Sequence, residues 1–88
     1  MKEHQRVMAE KITGTSLTIS KILLGDSVEI NGHLYKYIGQ EKVKQNLGKI
    51  NMYCFEGLGK AIGFRKEFNV NASLKFIKTK EGKIYLIS

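Results

Sequence analysis

From Asp26 onward the chain alternates apolar and polar residues with a period of two, the mark of half-buried β-strands. Val28-Glu-Ile30, Asn31-Gly32 and His33-Leu-Tyr-Lys-Tyr-Ile38 form its strongest local signal. Asn-Gly supplies both positive φ angles of a type I′ turn, whose twist matches paired strands. The register that follows sets Ile30 opposite His33 and Val28 opposite Tyr35. Val28, Ile30, Tyr35 and Tyr37 then share one face, and Leu34 and Ile38 lie on the other with Glu29 and Lys36. A one-residue slip exchanges the faces, so the alternation alone leaves open which is buried.

Further strands are expected over Lys49–Glu56, Ile62–Val70, Leu74–Lys78 and Lys83–Ile87, the last two joined by Thr79-Lys-Glu-Gly82. Lys49–Glu56 is apolar on both faces, as suits a central strand. Ile62, Phe64, Phe68 and Val70 should line one side of the next strand. Before Asp26 the pattern changes. Ile19, Ile22 and Leu23 share a helical face, Thr15 or Ser16 can cap it, and Gly25 can end it. A helix over Thr15–Leu24 is therefore predicted. Its rival is a strand through Leu17–Ile19, since Ser16–Ser20 alternates. Residues 2–12, with Val7, Met8 and Ile12, fit a short amphipathic helix or a frayed arm.

The expected fold is mainly β (α+β): a small partly open barrel or bent antiparallel sheet of five to six strands after one or two short helices. With 88 residues the chain reads as a single domain, with a helical segment at 1–24 and a β domain at 26–88. Gly25-Asp-Ser-Val-Glu-Ile-Asn-Gly32 followed by Tyr35-Lys-Tyr-Ile-Gly39 resembles the first hairpin of small SH3-like barrels. That resemblance implies an architecture and no activity.

Charge sharpens the functional side. There are 15 basic and 8 acidic residues, a net charge of +7. Residues 1–44 hold seven basic against five acidic groups, while residues 45–88 hold eight against three. Such an excess is the footprint of proteins that meet polyanions. Only Arg6 and Arg65 are arginines, so lysine supplies nearly all the charge. Lysine acts as a point charge and favours contact with a nucleic-acid backbone over reading of base edges.

Catalytic and metal chemistry find little to work with. Gly57-Leu-Gly-Lys-Ala-Ile-Gly63 looks like a phosphate loop but has Ile62 where the dinucleotide fingerprint needs glycine. It also has Ala61 where the Walker pattern needs Ser or Thr, and a glycine-rich turn or bulge fits better. His4, His33 and Cys54 lack zinc-ligand spacing. Cys54, between Tyr53 and Phe55, reads as a packed thiol, and a single cysteine suits a reducing compartment. The acids form no catalytic-looking pair. No metal, small-molecule cofactor or membrane partner is expected, and the protein is read as cytoplasmic and non-enzymatic.

Aromatic residues interleaved with cations carry the remaining signal. Tyr35, Tyr37 and Tyr53 are candidate surface platforms for bases, with the phenylalanines inside. Lys75, Lys78, Lys80 and Lys83, joined by Lys60, Arg65 and Lys66, are the candidate phosphate contacts. The function expected is a regulatory module that binds DNA or RNA. The alternative is a module that inhibits or redirects a larger acidic protein, a role that also suits an accessory protein of a virus or mobile element.

Overall fold

The computed structural model describes residues 13–87. Seven strands occupy most of that span: β1 (Thr15–Thr18), β2 (Ser27–Ile30), β3 (His33–Gln45), β4 (Gly48–Gly57), β5 (Arg65–Asn69), β6 (Lys75–Lys78) and β7 (Ile84–Leu86). They form one open mixed sheet in the order β1-β6-β7-β2-β3-β4-β5. Every pairing is antiparallel except β2 with β7, which is parallel. A mainly β fold is thus observed, with seven strands instead of five or six and one parallel junction.

The first hairpin has the expected register, Ile30 opposite His33 and Val28 opposite Tyr35. Asn31 (φ 52°) and Gly32 (φ 84°) both take the left-handed conformation that a type I′ turn requires. The buried face is the one carrying Val28, Ile30, Tyr35 and Tyr37. Phe55 and Phe76, both fully buried, complete its centre. The Phe55 ring lies 5.0 Å from Tyr37, 5.8 Å from Phe68 in a T-shaped contact, and 6.5 Å from Phe76. Aromatic pairs at these separations add to the area they bury.

Two expectations are corrected. No α-helix forms over Thr15–Leu24: the segment is β1 followed by a 3₁₀ turn at Ile19–Lys21. Isolated ten-residue helices are marginal in water, and the β-branched Thr15, Thr18, Ile19 and Ile22 weaken this one further. Pairing with β6 satisfies the backbone and sets Leu17 opposite the buried Phe76. The helix or arm considered for residues 2–12 lies outside the described residues.

The strand expected from Ile62 begins only at Arg65. Gly57–Phe64 instead folds around a 3₁₀ turn at Gly59–Ala61, tied by Ala61 N–H to Leu58 O and Phe64 N–H to Ala61 O. Ile62 and Phe64 are consequently exposed, at 72% and 66%. Glycine is required at 57 because a Cβ there would overlap the Ala61 carbonyl. The glycine-rich segment is therefore a tight connection between strands.

Strand β3 runs seven residues beyond Ile38, over a polar stretch for which no strand was expected. A one-residue bulge at Ile38 shifts its register against β4, from Tyr37 opposite Phe55 to Gly39 opposite Cys54. Alternation then restarts on the other parity. Gln40, Lys42 and Lys44 continue the face that carries Tyr37, while Val43 joins the opposite one.

Candidate nucleic-acid interface

The basic side chains singled out above occupy four places. Lys78, Lys80 and Lys83 surround the β6–β7 turn. That turn is closed by Thr79 N–H to Lys83 O, Gly82 N–H to Thr79 O and Lys83 N–H to Thr79 Oγ1. Lys78 and Lys80 line a groove of about 470 Å³ with Thr13, Gly14 and Thr15. Lys83 opens instead onto a hollow lined by Ser27, Glu29, Leu34 and Tyr85. Lys75 lies at the other end of β6, opposite Thr18, and alternation puts it on the face away from Lys78.

Lys60 and Lys66 stand apart from these. Lys60 sits in the 3₁₀ turn beside His33, Tyr35 and Phe64. Lys66 is half-buried on edge strand β5, opposite Phe55. Four strands separate β5 from β6 in the sheet, so the proposed lysines do not form one continuous cluster.

Arg65 is committed elsewhere. Its Nη2 donates to Glu41 Oε1 at 2.5 Å and its Nε to Glu67 Oε2 at 2.8 Å. The hydrogen bond to Glu41 is the main cause that holds its pKa above the ordinary arginine value. A guanidinium whose charge is offset by two carboxylates attracts a phosphate only weakly.

The aromatic expectation is corrected as well. Tyr35 and Tyr37 are 4% and 7% exposed, so neither presents a ring face to solvent. They lie inward because Val28 and Ile30 share their face and carry no polar atom to solvate. Burial, ahead of the charges of Tyr53 and Cys54, raises the Tyr37 phenol above its usual pKa. Tyr53 is half-buried against the core. The most exposed aromatic ring among the described residues is that of Phe64, expected inside.

Cys54 is fully buried, and its Sγ donates to Met52 O at 3.6 Å. Among the described residues no three of the His, Cys, Asp and Glu side chains gather where they could hold a metal ion. No described helix is long and apolar enough to cross a membrane.

One group of cations escaped the reading of the sequence. Lys42, Lys44 and Lys49 all stand exposed on the distal part of β3 and β4, with Lys44 directly opposite Lys49. The signal that marks them is the polar–apolar alternation of Lys42-Val43-Lys44 and Lys49-Ile50-Asn51 around a two-residue turn. With a single aliphatic residue on each side, it is faint.

Comparison with protein-family models, curated proteins and solved structures finds nothing that matches this chain.

Proposed function

We propose that this protein is a small non-enzymatic module that binds nucleic acid through lysine contacts to phosphates. One observation carries the reading. Among the described residues only Arg65 forms an ion pair, while eleven lysines have no carboxylate within 4 Å. Ten of the eleven are exposed. Solubility alone is served by mixed charges, whereas a one-sided unpaired excess creates a field that draws polyanions. Lys78, Lys80 and Lys83 are the nearest to a preformed cluster, with Lys75, Lys60 and Lys66 as outlying contacts. Arg65, Tyr35 and Tyr37 are withdrawn from the set, and Tyr53 keeps only a partial ring face. The same reading treats the bent sheet as SH3-like in style and the protein as cytoplasmic.

A second reading rests on Ile62 and Phe64, which stand exposed on the β4–β5 connection. Large apolar side chains in that position suit a protein partner, and Lys60 beside Phe64 would favour an acidic one.

Fluorescence anisotropy with labelled single- and double-stranded DNA and RNA, over a salt series, separates the two. Binding that falls steeply with salt, by a log–log slope of about 0.7–0.9 per phosphate contact, supports the first. Replacing Lys78, Lys80 and Lys83 with Gln should weaken binding to all sequences together and leave the fold intact. If the protein binds none of these at low salt, the acidic-partner reading takes its place.

A further inference from the structure

The distal half of the β3–β4 hairpin is built unlike the rest of the sheet. Pairing of β2 with β3 ends at Lys36, and pairing of β5 with β4 ends at Met52. Among the described residues the outermost backbone hydrogen bond to a third segment is Val70 N–H to Asn51 O. Beyond it, among the described residues, the two strands pair only with each other, out to the turn at Asn46-Leu47. At about 3.4 Å per residue this two-stranded arm reaches on the order of 15 Å past the sheet.

Its two faces differ. One carries Val43 opposite Ile50, both half-buried. The other carries Gln40, Lys42 and Lys44 from β3 with Lys49 and Asn51 from β4, and no carboxylate. Lys44 and Lys49 form a directly opposed pair of like charges, an arrangement that disfavours the hairpin. The nearest acid, Glu41, points to the other face and is bound to Arg65. The bulge at Ile38 produces this sorting, since without it Lys42 and Lys44 would share the face of Glu67 and Arg65. At the tip, Leu47 is fully exposed between Asn46 and Gly48.

We propose, building on the nucleic-acid reading above, that this arm grips duplex DNA, with Lys42, Lys44 and Lys49 on the phosphates and Leu47 as an apolar wedge. Phosphates supply the negative charge that the Lys44–Lys49 pair lacks. A duplex is favoured over a single strand because the ring on that face, Tyr53 opposite Gln40, is half-buried and leaves unpaired bases little to stack on. A leucine at the end of a cationic ribbon suits insertion from the minor groove, where apolar side chains unstack a base step and bend the helix. A membrane surface is disfavoured because one leucine side chain gives too little buried area for stable attachment.

The test uses the full chain and three variants: Lys42→Gln/Lys44→Gln/Lys49→Gln, Leu47→Ala, and Lys78→Gln/Lys80→Gln/Lys83→Gln. Circular dichroism checks that each is folded. The probe is a 20-base-pair DNA duplex with a fluorophore at each end, read by anisotropy over a salt series and by energy transfer between its ends. The expected result is tighter binding to the duplex than to its single strand, with the ends drawn closer. The arm triple variant should lose about 2–3 from the log–log salt slope. Leu47→Ala should keep the slope and lose the change in energy transfer. An unchanged slope in the folded arm variant, while the Lys78/Lys80/Lys83 variant loses its own, overturns the arm and leaves the nucleic-acid reading standing. Unchanged energy transfer in Leu47→Ala overturns the wedge. Preference for the single strand, or Leu47-dependent attachment to anionic vesicles without duplex binding, also overturns the inference. Absence of any nucleic-acid binding overturns the function itself.

Discussion

The inner and outer halves of the β3–β4 hairpin share the same two strands, joined across the bulge at Ile38, yet they are held by different forces. In the inner half, Tyr37 faces Phe55, Tyr35 is buried in the same core, and neighbouring strands pair on both sides. In the outer half, Val43 opposite Ile50 is the one aliphatic pair, and the cationic face opposes lysine to lysine. Burial fixes the inner half. The outer half keeps its shape mainly through the backbone ladder and tolerates charge repulsion, so its residue choice is better explained by what it contacts than by stability. Hairpins of two strands alone are marginal in water, and among the described residues this one is anchored only at its base.

The contrast gives a clear order of effects. Phe55→Ala should cost about 3–5 kcal/mol, since it empties the centre of the aromatic cluster. Ile50→Ala, on the same strand, should cost under about 1 kcal/mol as loss of a cross-strand pair. Urea denaturation of both variants measures the ratio, and equal losses would mean that the arm is packed as firmly as the core.

Lys44→Glu turns a repulsive pair into an attractive one and should raise stability by about 0.2–1 kcal/mol. The same substitution should weaken DNA binding. Stability and binding moving in the same direction would break the account of the arm as a functional compromise.

The smallest effect is confined to alkaline solution. Burial raises the Tyr37 pKa, so the folded protein holds this proton more tightly than the unfolded chain does. Tyr37 thus contributes stability that is fully present below about pH 10 and is lost as pH rises through the folded value. Tyr37→Phe should flatten that decline in denaturation midpoints taken above pH 9. An unaltered profile would place the alkaline loss on other groups.

The inner half was legible because apolar residues alternate there and Asn31-Gly32 fixes the register. The faces of Val28, Ile30, Tyr35 and Tyr37 followed, and so did the burial of Cys54. What alternation left open was which face lies inside, and the tyrosines were therefore assigned to the surface. The outer half was not legible because Gln40–Gln45 offers one aliphatic residue, and the bulge at Ile38 leaves no mark in hydropathy. Thr15–Leu24 misled for a different reason: its apolar spacing fits a helix, and only pairing with the distant β6 makes Thr15–Thr18 a strand. Ile62 and Phe64 were expected to share a strand face with Phe68 and Val70 because a period of two runs through them, but the tight connection around Gly57 breaks the strand there. Of the candidate contacts, the lysines of the β6–β7 turn stand where the turn chemistry put them. Arg65 was lost to Glu41, 24 positions away in the chain, a pairing that no local pattern reveals.

The central claim is that unpaired lysines, those of the arm above all, meet nucleic-acid phosphates. Amide NMR spectra of the ¹⁵N-labelled protein, recorded during titration with a short DNA duplex at low salt, test it most directly. The account predicts shifts concentrated at Gln40–Asn51 and around Lys78–Lys83, reversed by added salt. Shifts confined to Ile62–Phe64, or none at all, would contradict it.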